Sequence, residues 1–255
     1  MDINAPIGVF DSGVGGLTVV REIIRQLPNE NVVYFGDTAR VPYGSKSREI
    51  IIEYSRQIVH FLKTKKVKAI VIACNTASAY ALDTLIPEVD VPIIGVVLPG
   101  AKTAAKATVN GKIGVLGTTG TIGSGIYTKI LHEYNPAFMV VGKACPLFVP
   151  LVEEGMIDDP VTVEMASRYL KPLMAYGVDT IVLGCTHYPL IRSTIRNVVG
   201  DNVTLVNPAY ETAVSLRTLL QKQGIYRDCG EPTYRFYVSD GAAKFSSFAN
   251  SILPV

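Results

Sequence analysis

The sequence predicts an α/β protein made of two similar, doubly wound domains with mainly parallel sheets, and three observations support this fold class. Short β-branched runs alternate with glycine-containing turns and with segments whose apolar residues recur at helical intervals, which is typical of parallel sheets with right-handed crossovers. The 255 residues are 48% hydrophobic, enough to bury one large core or two smaller ones. Two short sequence patterns also occur twice along the chain.

The elements follow from these patterns in chain order. Strands are expected where β-branched residues cluster between turn residues, at Ile7–Phe10, Val32–Phe35, Ala69–Ala73, Ile93–Val97, Ile113–Leu116, Phe138–Val141, Thr180–Leu183 and Val203–Val206. Helices are expected at Leu17–Leu27, Glu49–Leu62, Ala77–Leu85, Ile126–Tyr134, Val161–Ala175 and Ala213–Leu220. A C-terminal strand at Tyr234–Val238 and helix at Ala242–Leu253 follow, and periodicity assigns them to neither domain.

The repeated patterns divide the chain into two halves. "IGVFDSGVGG" from Ile7 is echoed by "IGVLGTTGTIG" from Ile113, and "IVIACNTASA" around Cys74 is echoed by "IVLGCTHYPL" around Cys185. Each half therefore has one glycine-rich turn and one cysteine turn, in the same order. We place the domain boundaries near residues 97–99 and 207–208.

Composition and charge exclude several classes of partner. The longest apolar stretch, residues 137–152, is interrupted by Lys143, Pro146 and Pro150, and no signal peptide pattern is present, so a cytoplasmic protein without a membrane span is expected. The 24 basic and 22 acidic residues leave a net charge of +2 without long single-sign blocks, which argues against a nucleic-acid surface. The ligand is expected to be small.

The glycine-rich turns match a dinucleotide-binding fingerprint only in part. "DSGVGGLT" has Gly13 and Gly15 but Thr18 where a third glycine belongs, although Asp37 occupies the place of a ribose-binding acid. The second turn has no such acid. A plain tight turn is the simpler interpretation, so no cofactor is expected, and backbone N–H groups at these turns are suited to bind a carboxylate.

Two of the four cysteines occupy positions suited to chemistry. Cys74 and Cys185 each follow a buried strand and precede a helical segment, where a helix N-terminus favours a thiolate. Cys145 and Cys229 lack this setting, and the wide spacing of all four argues against disulfides and against a closed zinc site. Two quasi-equivalent thiols suit the inversion of a stereocentre, which needs a base on one face of a carbon and an acid on the other.

Three further residues are candidate proton carriers, and each also has a structural interpretation. Asp11 ends the first strand and also suits an Asx turn or a helix cap. Glu153 also suits a solvated helix face, and His187 a cap on its own helix. The segment "TARVPYGS" suits a functional loop in which Tyr43, Gly44 and Ser45 offer hydroxyl and backbone donors, and it equally suits a well-ordered turn.

Five motifs in order resemble one enzyme family. They are "FDSGVGG" (10–16), "GDTARVPYG" (36–44), "ACNTAS" (73–78), "CPLFVPLVEEG" (145–155) and "GCTHYP" (184–189). Together they resemble the glutamate racemases, cofactor-independent members of the aspartate/glutamate racemase family that supply D-glutamate for peptidoglycan, and hence for cell-wall biogenesis and cell shape. The resemblance extends from Ile7 to about Glu211.

The resemblance implies a domain made of residues 1–97 plus 208–255, a second domain of residues 98–207, and an active site in the cleft between them. It implies that Cys74 removes the α-proton of D-glutamate and Cys185 that of L-glutamate, without a cofactor or metal. The implied assisting residues are Asp11, Glu153 and His187. The implied substrate-binding residues are Asp11, Ser12, Tyr43, Gly44, Asn75, Thr76, Thr186 and His187. The expected partners are glutamate and a second copy of the chain in a homodimer.

Other functions remain open from the sequence. Within the same chemistry, the chain suits an aspartate racemase or a related two-cysteine isomerase, because side-chain selectivity depends on the shape of the pocket. From other classes, it suits a non-catalytic two-lobed protein that binds a small acid, or a thiol hydrolase that uses Cys185 with His187. The symmetry of the two thiols favours the racemase.

Overall fold

The computed structural model describes residues 2–253, and the chain divides into two compact units. Unit 1 combines the residues up to Val96 with those from Ala209 onward, and unit 2 comprises Val97–Pro208. Every strand pair in the described chain is parallel. The α/β fold class with mainly parallel sheets is therefore confirmed.

Unit 1 contains a five-stranded sheet. Its strands are β1 (Ile7–Asp11), β2 (Val32–Gly36), β3 (Ala69–Ile72), β4 (Ile93–Gly95) and β9 (Tyr234–Val238), in the order β4-β3-β1-β2-β9. Its helices are α1 (Leu17–Gln26), α2 (Arg48–Thr64), α3 (Asn75–Leu85), α10 (Pro208–Lys222), which begins at the last residue of unit 2, and α11 (Ala242–Ile252). Since the chain moves one way from β1 to β2 and the other way to β3 and β4, right-handed crossovers put helices on both faces.

Unit 2 contains a four-stranded sheet of the same design. Its strands are β5 (Lys112–Gly117), β6 (Met139–Ala144), β7 (Thr180–Gly184) and β8 (Thr204–Val206), in the order β6-β5-β7-β8. Its helices are α4 (Val97–Ala107), α5 (Thr119–Gly123), α6 (Ile126–Tyr134), α7 (Phe148–Glu153), α8 (Pro160–Ala175) and α9 (Arg192–Val199). The order β2-β1-β3-β4 in unit 1 matches β6-β5-β7-β8 strand for strand, so the sequence repeat is a repeat of topology.

The C-terminal segment completes the sheet of unit 1. β9 pairs with β2 from Val32↔Tyr234 to Gly36↔Val238, and α11 contacts α1. The Phe245 ring of α11 stacks on Tyr34 with centroids 5.8 Å apart and lies 6.2 Å from the ring of Phe236. These apolar contacts are long-range in sequence, which is why helical and strand periodicity did not reveal them.

The strand at the first boundary is shorter than predicted. The expected strand Ile93–Val97 ends at Gly95, and α4 begins at Val97. The Val96 N–H donates to Ser78 Oγ at 3.3 Å instead of a neighbouring strand, and a Cβ on Gly95 would lie 2.7 Å from that oxygen. β4 is therefore cut short by its close packing on α3.

Four helices were not predicted: α4, α5, α7 and α9. α4 reads "VLPGAKTAAKA", and a Pro-Gly pair ordinarily marks a turn. Pro99 lies in the first turn of α4, where a missing N–H costs no intrahelical hydrogen bond. A Cβ on Gly100 would lie 2.9 Å from the ring of Pro208, so the glycine permits close packing inside unit 2.

Asp179, just before β7, anchors the connection from α4 to β5. Its carboxylate accepts hydrogen bonds of 2.7 Å from Thr108 Oγ1 and from the N–H groups of Val109 and Asn110. Burial alone would raise the pKa of Asp179, but these hydrogen bonds outweigh it and lower the pKa below its ordinary value.

Between residues 2 and 253, no helix is both long enough and apolar enough to cross a membrane.

Candidate active site

Apart from Tyr43 and Gly44, the predicted site residues of unit 1 lie at the carboxyl ends of β1 and β3. These neighbouring strands carry connections that leave the sheet in opposite directions, and this switch point is where parallel α/β sheets bind ligands. Asp11 is the last residue of β1, and Cys74 follows β3. Their strands pair directly, with Phe10 opposite Ile72, so sheet register brings the two residues together.

Cys74 is the N-cap of α3. Its Sγ accepts the Ala77 N–H at 3.4 Å and lies 3.8 Å from Ser12 Oγ, and only 6% of the residue is exposed. Asn75 and Thr76, both buried, form the first turn of the helix behind it. A sulfur that receives backbone N–H groups at a helix N-terminus is well placed to carry negative charge.

Asp11 is enclosed by its own loop. Its Oδ2 accepts the N–H of Gly13 at 3.1 Å and that of Gly16 at 3.0 Å, and the residue is fully buried. The bond from the Gly13 N–H forms an Asx turn, which was the structural interpretation of Asp11 from the sequence. A Cβ on Gly16 would lie 2.4 Å from Asp11 Cβ and 2.7 Å from the hydroxyl of Tyr34. The glycines therefore let the loop wrap a carboxylate.

The partial dinucleotide fingerprint has a different explanation in the structure. Asp37, which occupies the place of a ribose-binding acid, is fully buried. Its carboxylate is ion-paired with Arg40 at 2.7 Å and accepts hydrogen bonds from the hydroxyls of Tyr43 and Ser239. With its oxygens engaged by these three side chains, Asp37 is not available to a nucleotide.

Tyr43 and Gly44 lie in a short 3₁₀ helix, Tyr43–Ser45. The sequence suggested the Tyr43 hydroxyl as a donor to ligand, but in the structure that hydroxyl donates to Asp37. Burial, together with this hydrogen bond, raises the pKa of Tyr43 well above its ordinary value. What this segment offers a ligand is therefore its backbone.

In unit 2, Cys185 follows β7 at the position that matches Cys74. Its Sγ lies 3.9 Å from His187 Nδ1, and His187 Nε2 lies 3.1 Å from Glu153 Oε1 at the end of α7. His187 is 4% exposed, and the Glu153 side chain is 26% exposed. Because an ionised carboxylate only accepts, we assign the proton to Nε2, which leaves Nδ1 facing the sulfur.

These contacts decide between the interpretations of His187 and Glu153. His187 precedes the short helix Tyr188–Ile191, but its side chain makes no cap hydrogen bond there. Glu153 bonds to His187 and is not simply a solvated face. A carboxylate, an imidazole and a thiol thus form a line able to stabilise either protonation state of the sulfur.

The two thiols differ more than their sequence motifs suggest. Cys74 caps an eleven-residue α-helix, whereas Cys185 precedes a four-residue 3₁₀ helix whose second residue is Pro189. Proline supplies no N–H, so the expected helix N-terminus is weak at Cys185. At Cys185 the imidazole of His187 takes the place of a helix N-terminus. Thr186, between Cys185 and His187 in the chain, is 7% exposed.

The remaining cysteines are placed as structural residues. Cys145 is fully buried, with its Sγ 3.5 Å from the Lys143 carbonyl oxygen, and burial raises its pKa to about 12. Cys229 is exposed. Among residues 2–253, no group of three or more His, Cys, Asp or Glu side chains is arranged to hold a metal ion.

Comparison with known proteins shows the family of the chain. Residues 7–216 match the Asp/Glu/Hydantoin racemase family. The chain belongs to this family. A family member from Geobacter metallireducens, described as glutamate racemase, is 49% identical over 248 residues, which is 97% of this chain and 92% of that protein.

Solved structures of the family have the same fold. The glutamate racemase isoform RacE1 of Bacillus anthracis superimposes with a TM-score of 0.94 at 45% identity, covering 97% of this chain and 93% of that one. The glutamate racemase of Francisella tularensis, solved in complex with D-glutamate, superimposes with a TM-score of 0.93 at 38% identity, covering 99% and 95%.

Two groups that make hydrogen bonds to residues 37–43 were not recognised from the sequence. Asp37 was considered only as a ribose ligand, and no role was given to Ser239 in "VSDGAAKF". A signal was present for Asp37, which directly follows a strand and precedes the predicted loop. Ser239 carried no such signal, because its contacts lie about 200 residues away along the chain.

Proposed function

We propose that the chain interconverts L- and D-glutamate by proton transfer at Cα, with Cys74 and Cys185 as the two acid/bases and without a cofactor. The observation that carries the proposal is the equivalence of the two thiols, each directly behind the matching strand of a matching sheet. The names and the bound D-glutamate of the related proteins favour glutamate over aspartate as substrate.

In the direction from D-glutamate, the Cys74 thiolate takes the α-proton, so that a C–H bond breaks and an S–H bond forms. The Cys185 thiol then gives its proton to the opposite face of the carbanion and becomes a thiolate. The reverse reaction exchanges the two roles. His187 Nδ1 accepts the S–H of the Cys185 thiol and, once it takes up a proton, donates to the Cys185 thiolate, while Glu153 holds Nε2. Asp11 assists Cys74.

The carbanion needs more than two positioned bases, because general acid–base catalysis contributes roughly 10²- to 10⁴-fold. We assign the additional stabilisation to preorganised donors that hold the α-carboxylate. The candidates are Ser12, Asn75, Thr76 and Thr186, with the backbone at Tyr43 and Gly44. Asn75, Thr76 and Thr186 are buried, which favours strong hydrogen bonds.

Deuterium incorporation tests the two-base reaction. Purified protein is incubated with L-glutamate in D₂O without added cofactor, and both enantiomers are analysed by chiral chromatography with mass spectrometry. We expect the D-glutamate that forms to carry deuterium at Cα. A constant optical rotation without exchange would refute the racemase and favour the binding protein.

Single cysteine variants test the assignment of the thiols. Cys74→Ala and Cys185→Ala are each expected to lose racemisation, whereas Cys229→Ala, at an exposed thiol, is the matched control and should keep wild-type turnover. Near-normal turnover by either of the first two variants would show that the two-base mechanism is wrong.

We also propose that the product is D-glutamate for peptidoglycan, which places the protein in cell-wall biogenesis in the cytoplasm, and that the chain is a homodimer. Exposed apolar side chains support an interface between copies; in unit 2 these include Leu98 at 52%, Tyr134 at 48% and Met139 at 46% exposure. Light scattering after size-exclusion chromatography should give about twice the chain mass of 27.5 kDa. A monomer at all concentrations would refute the dimer.

A further inference from the structure

The substrate loop is anchored where it leaves β2. We use this name for residues 38–45, which include Tyr43 and Gly44. The buried Asp37 carboxylate accepts the Tyr43 hydroxyl and pairs with Arg40 Nε at 2.7 Å. The Arg40 guanidinium lies 4.1 Å from the centre of the Tyr54 ring of α2. One carboxylate therefore connects both halves of the loop.

A second set of contacts reaches the loop from the far end of the chain. Ser239, just after β9, donates from Oγ to Asp37 Oδ1 at 3.0 Å and accepts the Ala39 N–H at 2.9 Å. Thr38 Oγ1 donates to the carbonyl oxygen of Asp240 and accepts its N–H at 3.0 Å. We call Ser239 and Asp240, with these four hydrogen bonds, the C-terminal latch.

The sheet of unit 1 does not need the latch for its own pairing. β9 already pairs with β2 along five residues that end at Gly36↔Val238. The side-chain bonds of the latch act beyond that point, on residues 37–39, where the chain has left the sheet. These bonds restrict the loop, whose backbone would otherwise have several conformations available.

We propose that Ser239 is a positioning residue for substrate binding. With Asp37 it holds the substrate loop in the one conformation that presents the backbone of Tyr43–Ser45 to the ligand. Ser239 does not touch the substrate, and it acts through Asp37 and Ala39. The inference rests on the proposed function, in which Tyr43 and Gly44 bind glutamate.

Ser239→Ala tests the proposal with a split between KM and kcat. Removing the hydroxyl takes one hydrogen bond from Asp37 and one from the Ala39 N–H. We expect KM for D-glutamate to rise roughly 3- to 30-fold while kcat stays within about threefold, because the loss affects binding before chemistry. Ser239→Thr keeps a hydroxyl and should restore most of the affinity.

Ser251→Ala is the matched control. Ser251 lies in α11, in the same C-terminal segment, and its Oγ donates to the carbonyl of Phe248 at 2.7 Å, away from the loop. We expect wild-type kcat and KM. Thermal melts of all three variants measure how much of each effect is simple loss of folded protein.

The outcomes separate this inference from the proposed function. The positioning role is refuted if the wild type racemises glutamate and Ser239→Ala has an unchanged KM. This holds whether the kcat of the variant is unchanged or falls in proportion to the fraction of folded protein. Calorimetric titration with D-glutamate reads the same affinity without turnover. If the wild type binds glutamate without racemising it, a weaker titration of Ser239→Ala still supports the latch. If the wild type binds no glutamate, both ideas fail.

Discussion

Gly16→Ala is expected to destabilise unit 1 and to impair racemisation at the same time, because a Cβ does not fit at that position. It would lie 2.4 Å from Asp11 Cβ and 2.7 Å from the Tyr34 hydroxyl oxygen, and both neighbours are fully buried. Gly16 has φ of −59°, which alanine adopts readily, so the clash alone is responsible for the loss.

The magnitude follows from the geometry. Carbon atoms in contact lie about 3.5–4.0 Å apart, so Asp11 or the loop must move by roughly 1 Å, and overpacking of this kind costs about 1–3 kcal/mol. The movement also weakens the two N–H bonds to the carboxylate, each worth about 1.5–3 kcal/mol for a charged acceptor. We expect a total loss of about 3–5 kcal/mol in the free energy of unfolding, and a melting temperature about 10 °C lower.

Gly123→Ala is the matched control, since Gly123 is the last glycine of the second glycine-rich motif as Gly16 is of the first. Nothing lies within 4 Å of a Cβ built there, and Gly123 ends α5, so a change of no more than about 1 kcal/mol is expected. Urea unfolding followed by circular dichroism, together with polarimetry of glutamate, measures both effects. Wild-type stability and activity of Gly16→Ala, or equal losses in both variants, would refute the reasoning.

Two further predictions concern ionisable groups. Because burial raises the pKa of Cys145 to about 12, iodoacetamide at pH 8 should modify the exposed Cys229 and spare Cys145 in the folded protein, as peptide mass spectrometry would show; equal labelling of both would contradict this placement. Asp179 has a lowered pKa in the folded protein. The stability that its carboxylate contributes is therefore fully present above its pKa in the unfolded chain, about 3.9, and is lost as the pH falls through its pKa in the folded protein. Asp179→Asn should therefore lower the free energy of unfolding by about 1–2 kcal/mol at pH 7 and by progressively less below about pH 4, as measured by urea titrations. A loss that does not depend on pH would show that the charge is unimportant.

Much of the fold could be read from local patterns. The helix Ile126–Tyr134 and the strand Tyr234–Val238 have the predicted bounds, and the other predicted strands and helices appear with ends shifted by a few residues. These elements have a clear apolar period and turn residues at both ends. The four missed helices do not: α4 has Pro-Gly in its first turn, and α5, α7 and α9 have eight residues or fewer, too short to show a period.

The candidate site was predicted from its two cysteines, and the structure changed the setting of one of them. Cys74 has the predicted helix N-terminus. Cys185 has a short 3₁₀ helix with Pro189, and relies on His187 and Glu153. Tyr43 was expected to offer its hydroxyl to a ligand, but that hydroxyl is bound to Asp37. Side-chain direction at these positions depends on packing, which a motif does not encode.

The sequence by itself determined the α/β class, the duplication and the place of each cysteine turn behind a strand, because strand and helix periods and repeated motifs are properties of neighbouring residues. Only the tertiary structure decided what each polar group bonds to. The Asp37 carboxylate meets Ser239 across 202 positions of chain, and such a contact exists only once parallel pairing has brought β9 beside β2. Contacts of this kind leave no local signal, since burial and register, not sequence spacing, bring the two side chains together.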